Sequence, residues 1–270
     1  MKIRFTRETL APLVVLAGAL MVAPLSATAT AGPTSVTCDG QPATIVGTAH
    51  DDSLTGTVGN DIAVLLDGDD FFDGLGGNDI VCGGDGQDFL VGGAGEDLLD
   101  GEASDDELRG DLFSPVGDAT GDGATDTLIC GDGNDDRASG DNFAPNGNAS
   151  GNGGDDVIIG CERTTGDNLA GGLSAGDGGN DTIEGCSRCA SDNNSFSIQT
   201  SGTGGDDTVT GSSGPDIVVG DNEGAGGGGD DDISTLSGGD IIDGGPGTDL
   251  RDGGTSRDTA TNCESVTNVP

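Results

Sequence analysis

The chain has no tryptophan, no tyrosine and seven phenylalanines in 270 residues. A thick aromatic core is therefore out of reach, and any folded form must bury its apolar surface in a thin layer. Histidine occurs once, at His50, without an HExxH, a GxSxG or a partnered nucleophile, which removes the common metalloprotease and hydrolase constellations. Basic groups are scarce, with nine Lys and Arg against 49 Asp and Glu. Nucleic acid and anionic membrane surfaces are approached through Lys and Arg, so neither is an expected partner. Cations are the natural counterpart. Long apolar runs are also missing: the one from Leu10 to Val22, with Pro12 inside it, is too short to span a bilayer as a helix.

That run follows Lys2, Arg4 and Arg7 and precedes Ala27-Thr28-Ala29 and Ala29-Thr30-Ala31, which predicts a secretory leader over residues 1–29, cleaved after Ala29 or Ala31. Its loss takes three basic residues and Glu8, leaving no lysine and a net charge of −42. The expected product is secreted, with no integral membrane segment. Seven cysteines suit an oxidising compartment but cannot all pair, so one is left free or joins two chains in a disulfide-linked dimer. Cys161 and Cys186 are 25 residues apart and each follows a glycine. If that distance is one coil they stack within disulfide reach, and Cys186 to Cys189 is the competing pair. The lone Cys-x-x-Cys is a poor zinc or redox signal.

By composition alone, 54 glycines and this charge describe a disordered acidic chain. Periodicity argues otherwise. Gly47 to Arg109 divides without a gap into seven units of nine residues, from GTAHDDSLT to GEASDDELR. Position six is always Asp: 52, 61, 70, 79, 88, 97 and 106. Position eight is always apolar: Leu54, Ala63, Phe72, Val81, Leu90, Leu99 and Leu108. One inward residue per short strand is what a solenoid needs when each coil buries its face against its neighbours. The six positions outside the strand read as turn. Glycine is frequent at positions one (Gly74, Gly83, Gly92) and four (Gly77, Gly86, Gly95), as expected where the backbone takes positive φ or approaches a ligand.

Carboxylates beside turns of exposed carbonyls form a hard-oxygen environment suited to calcium. With these residues, the units resemble the G-G-x-G-x-D-x-U-x repeat of RTX proteins. The resemblance implies an all-β, right-handed parallel β-roll or β-helix solenoid with two units per coil. It also implies several calcium ions between turns, each taking carboxylates from two stacked turns and carbonyls of the glycine positions. The leader, the repeats and a final DTATNCE segment are similar to small secreted calcium-binding proteins of actinobacteria. In an 18-residue coil, units of like parity stack, so Asp52, Asp70, Asp88 and Asp106 share one edge and Asp61, Asp79 and Asp97 the other. Neighbours about 5 Å apart repel by roughly 3 kcal/mol at an effective dielectric near 20. A divalent cation between them reverses the sign. The weakest sites are expected where glycine is lost, at His50, Leu65 and Ser104.

Around this block, 30–46 reads as an N-terminal cap, including Cys38 to Val46. Longer coils follow over 110–201, with ligand aspartates Asp126, Asp156 and Asp181 continuing to Asp207. Asp135 is placed in the same set, which puts Arg137 in the apolar column. A second marker keeps step: Gly110-Asp111, Gly140-Asp141-Asn142, Gly166-Asp167-Asn168, Ser191-Asp192-Asn193 and Gly220-Asp221-Asn222. Irregular repeats over 202–261 offer Asp216, Asp231, Asp240 and Asp249, while Arg251 stands in an apolar position, implying a frayed or capped unit. Residues 262–270 read as a tail. Ile62, Ile80 and Leu98 on one sheet and Phe71 and Phe89 on the other point outward, toward a partner or beneath loops of the second half.

Three functions are compatible with these features. The preferred one is a secreted, non-catalytic calcium-binding protein that folds on binding the ion, because no segment is left over for a catalytic domain. The others are a calcium-dependent adhesin or matrix component with a cell-surface or matrix partner, and a polysaccharide-acting enzyme using paired acids on a solenoid face. Replacing Asp79 or Asp88 is expected to weaken calcium binding more than replacing Asp111.

Overall fold

The computed structural model describes residues 36–166, 169–170, 174–175, 177–190, 194–195, 200–201, 203–221, 227–255 and 257–267. The expected leader, and the markers Asp167-Asn168, Ser191-Asp192-Asn193 and Asn222, lie outside them. Among the described residues no helix is long and apolar enough to cross a membrane.

The chain winds as a parallel β-roll. An 11-stranded sheet runs from Ile45–Val46 to Ser265–Thr267, and a 10-stranded sheet runs from Ser53–Thr55 to Thr259–Thr261. Every pairing within the two sheets is parallel. The register confirms the 18-residue coil, since Ile62 pairs with Ile80 and Phe71 with Phe89. In the second half the same columns stay aligned across longer coils: Leu128 pairs with Ile158, Ile158 with Ile183 and Ile183 with Val209. The extra residues form their own small parallel sheets, such as Ala119–Thr120 against Ala149–Ser150.

Column eight supplies the core. Phe72, Leu90, Leu99, Leu108, Leu128, Ile158, Ile183, Val209, Ile233 and Ile242 are fully buried in one continuous cluster. At about 1.5–3 kcal/mol for each such side chain, these two facing rows, Leu99 to Ile233 on one sheet and Phe72 to Ile242 on the other, supply most of the apolar stabilisation the roll has. Some strands are longer than the nonapeptide pattern suggests. Ile62–Asp67, Ile80–Asp85 and Leu98–Ala103 run on through positions one to three of the next unit, which is why Leu65 at position one turns into the core.

Several expectations are corrected. Arg137 is not in the apolar column; it stands at position seven, exposed, and Ala138 fills the core instead. Arg251 does occupy the core column, between Ile233 and Val266, and its cover is the chain's own last strand, Ser265–Thr267. That strand takes in residues read as tail. Cys161 pairs with Cys130 rather than Cys186, and Cys186 bonds to Cys189. Cys186 closes on Cys189, three residues further along the chain, which leaves Cys161 to Cys130 on its other side. Cys38 pairs with Cys82 and Cys263 keeps a free thiol.

The outward apolar residues are covered from two directions. The hairpin Thr37–Cys38/Gln41–Pro42, tied down by Cys38–Cys82, lies with Ala43 against Ile62 and Ile80. Phe71 stacks on Phe89, which meets Phe113 edge-on, and Phe113 stacks on Phe143 with the Arg109 guanidinium over that ring. Loops of the second half thus cover the phenylalanines, while the N-terminal hairpin covers the isoleucines.

Candidate metal centre: two files of buried aspartate

Position six turns each aspartate back across the edge of the roll. Its Oδ1 accepts the backbone N–H of the aspartate one coil earlier, at 2.7–3.1 Å, all along both edges. One file runs Asp61, Asp79, Asp97, Asp126, Asp156, Asp181, Asp207, Asp231 and Asp249, and closes where Glu264 accepts the Asp249 amide. The other runs Asp52, Asp70, Asp88, Asp106 and Asp136, where Glu162 takes the next amide. It resumes at Asp216, Asp240 and Asp258.

The ladder residue of its coil is therefore Asp136, and Asp135 is not in the file. A doublet of aspartates hides the phase, and the core decides it, because only Asp136 lies two places before an inward residue, Ala138. Asp135 instead bonds the guanidinium groups of Arg137 (3.5 Å) and Arg163 (2.8 Å). It belongs to column five, whose role sequence reasoning missed. There, exposed side-chain oxygens of Asp51, Asn60, Asp69 and Asp155 accept the amide of the same position one coil later. The signal was the recurrence of Asp or Asn immediately before the invariant aspartate.

Oδ2 has a different environment. In Asp70, Asp79, Asp88, Asp97, Asp106, Asp126, Asp136, Asp156, Asp216, Asp231, Asp240 and Asp249 this oxygen is buried without a hydrogen-bond partner. It leans over the position-one glycine of its own unit. A Cβ at Gly74, Gly83 or Gly92 would collide with Oδ2 of Asp79, Asp88 or Asp97 and with the position-one carbonyl of the next coil. Position four excludes side chains for another reason: Gly77, Gly86 and Gly95 have φ of 111°, 144° and 126°.

A dozen orphaned anionic oxygens in a buried row are unfavourable by themselves, since each leaves a desolvation cost unpaid. Burial accordingly raises the carboxyls above their usual range, to about 6 for Asp79 and Asp88, about 7 for Asp97 and about 8 for Asp106. The amide from the preceding coil opposes this and neighbouring carboxylates add to it. Asp126 is pushed to about 10, by burial first and Asp111 next. Paired carboxylate oxygens with carbonyls between successive turns fit a hard, irregularly coordinated cation, and calcium is the one that chemistry selects.

A parallel roll edged by such files has the architecture of a calcium-binding solenoid. The family model of the RTX calcium-binding nonapeptide repeat matches four segments of the chain, residues 46–81, 82–114, 201–222 and 225–260, so these segments carry RTX calcium-binding repeats. No curated protein and no solved structure matches it.

Proposed function

We propose that this chain is exported and acts, without catalysis, as a calcium-binding protein whose roll forms when it meets the ion outside the cell. The supporting observation is the double file of buried aspartates with unpartnered Oδ2 atoms, which repel one another until a cation lies between them. Asp61, Asp79, Asp97 and their successors would hold the ions on one edge, Asp70, Asp88, Asp106 and Asp136 on the other. Calcium supplies charge neutralisation and cross-links successive turns, and its binding energy becomes folding energy. Three disulfides and the leader sequence support export.

The test is circular dichroism of the processed chain. A coil spectrum is expected in chelator and a β spectrum in millimolar calcium, the regime usual for extracellular modules. An unchanged spectrum would overturn the reading. Attachment to a calcium-rich matrix is the second reading, favoured by the exposed neighbouring Ile217 and Ile241, and calcium-dependent cell binding separates it from the first.

A further inference from the structure

The nonapeptide pattern provides one aspartate per coil and edge, yet the long coils bring a second one to the same place. Asp221 stands at position two of its unit, directly after Gly220, and is 3% exposed. Its side chain reaches the file on the Asp61 edge. One oxygen each from Asp221, Asp231 and Asp249 lie within 4.8 Å of one another, and all three residues are buried. The Oδ2 atoms of Asp231 and Asp249 have no hydrogen-bond partner. The charges acting on this pair are themselves carboxylates: Asp207, Asp221 and Asp249 on Asp231, and Asp221, Glu264 and Asp230 on Asp249. Room is made by two glycines, because a Cβ at Gly228 or Gly245 would strike Asp221.

The arrangement recurs. Asp111, at the equivalent position, is buried and acts on Asp126 together with Asp97, while Asp141 acts on both Asp126 and Asp156. Each of these aspartates also accepts an amide from further along its own coil: Ala124 to Asp111, Gly154 to Asp141 and Gly229 to Asp221. A turn-tying carboxyl needs nothing more than that bond, and an asparagine would make it equally well. Placing a full charge beside two others in a buried pocket calls for a ligand.

We propose that the position-two aspartates of the long coils are additional calcium ligands, and that Asp221, Asp231 and Asp249 form a three-carboxylate site, tighter than the sites of the nonapeptide block. The proposal rests on the calcium-binding reading above. Affinity in oxygen sites rises with the number of charged ligands, so this site fills first and empties last, ahead of sites built from two carboxylates and carbonyls. It reverses the ranking expected from sequence, in which Asp111 and its equivalents were minor.

The test is calorimetric titration of the full processed chain with calcium, comparing wild type, Asp221→Asn and Asp240→Asn. The wild type should show a tight class of site followed by weaker ones. Asp221→Asn, which keeps the acceptor for Gly229, should weaken one ion of the tight class about tenfold and leave the weaker sites in place. Asp240→Asn, on the opposite edge, should weaken a site of the weaker class and leave the tight class whole. A tight class of undiminished stoichiometry in Asp221→Asn, or a wild type with uniformly weak sites, overturns the three-carboxylate site while leaving calcium binding intact. Absence of any binding overturns both. Should Asp221→Asn fail to form the roll in calcium, the Asp221→Glu variant, which restores the charge, decides: recovery of the tight class supports the proposal and its continued loss with a folded roll refutes it.

Discussion

Changing Asp79 to Asn should have opposite effects with and without calcium. In chelator, burial raises the folded-state carboxyls above the ordinary aspartate value, to about 6 for Asp79 and Asp88, about 7 for Asp97 and about 8 for Asp106. The folded form then holds more protons than the unfolded form. Its advantage is complete below the unfolded-state value near 4 and is lost as pH rises through the 6–8 window. The chelated chain should compact on acidification. Asp79→Asn keeps the oxygen that accepts the Asp61 amide at 2.8 Å and puts an amide donor beside the Gly92 carbonyl, which adjoins Asp79 Oδ2 at Gly74. It removes a charge that repels each ionised neighbour, Asp61 and Asp97, by roughly 3 kcal/mol at ~5 Å and an effective dielectric near 20. If about three protons are taken up across the window, 3 kcal/mol moves the compaction pH up by about 0.7 unit. With calcium the same change deletes a ligand and should raise the calcium midpoint about three- to tenfold. Hydrodynamic radius against pH in chelator, and circular dichroism against calcium at pH 7.5, read the two effects. A variant that is weaker in both conditions, or altered in neither, would show that Asp79 is an ordinary turn carboxyl and refute the reasoning.

Two further substitutions probe the rest of the roll. Ser104 holds position four with a φ of 88° and is exposed, so Ser104→Gly should stabilise the calcium-loaded fold by about 1 kcal/mol, the usual cost of that backbone region, visible as a higher thermal midpoint. Arg251 is 2% exposed, with Nε, Nη1 and Nη2 unpartnered. Arg251→Met should stabilise the last coils by about 1–4 kcal/mol, measurable by hydrogen exchange across the strands Asp232–Ser234 and Leu250–Asp252.

The coil length, the core column and both aspartate files were legible in the sequence because their causes are periodic. A strand two residues past each aspartate must bury one side chain, and a carboxylate in every unit cannot be a coincidence of turns. Where the chain departs from that period, legibility failed for identifiable reasons. At Asp135-Asp136 two equivalent acids adjoin, and only the burial of Ala138 selects between them. At Cys161 two partners lay at one coil's distance, Cys130 before it and Cys186 after it, and Cys186 closed instead on Cys189. Column five escaped notice because Asp, Asn and Gln alternate there, so the shared role of their oxygens is hidden by changing letters. Asp221 and Asp111 were seen as a marker, but their approach to the main file depends on glycines in neighbouring coils.

The interruption at Glu162 and Ser187 splits one flank of the molecule. Arg163 pairs in register with Arg137 before it and Arg188 after it, so guanidinium groups line the outer face at the rungs where the acid file lapses. Glu162 and Asp216 are two rungs apart, about 10 Å, so direct repulsion across the gap falls to about half that between adjacent rungs. The opposite flank has no such gap, so the same stack of coils carries two short rows of carboxylates along one side and a single long one along the other.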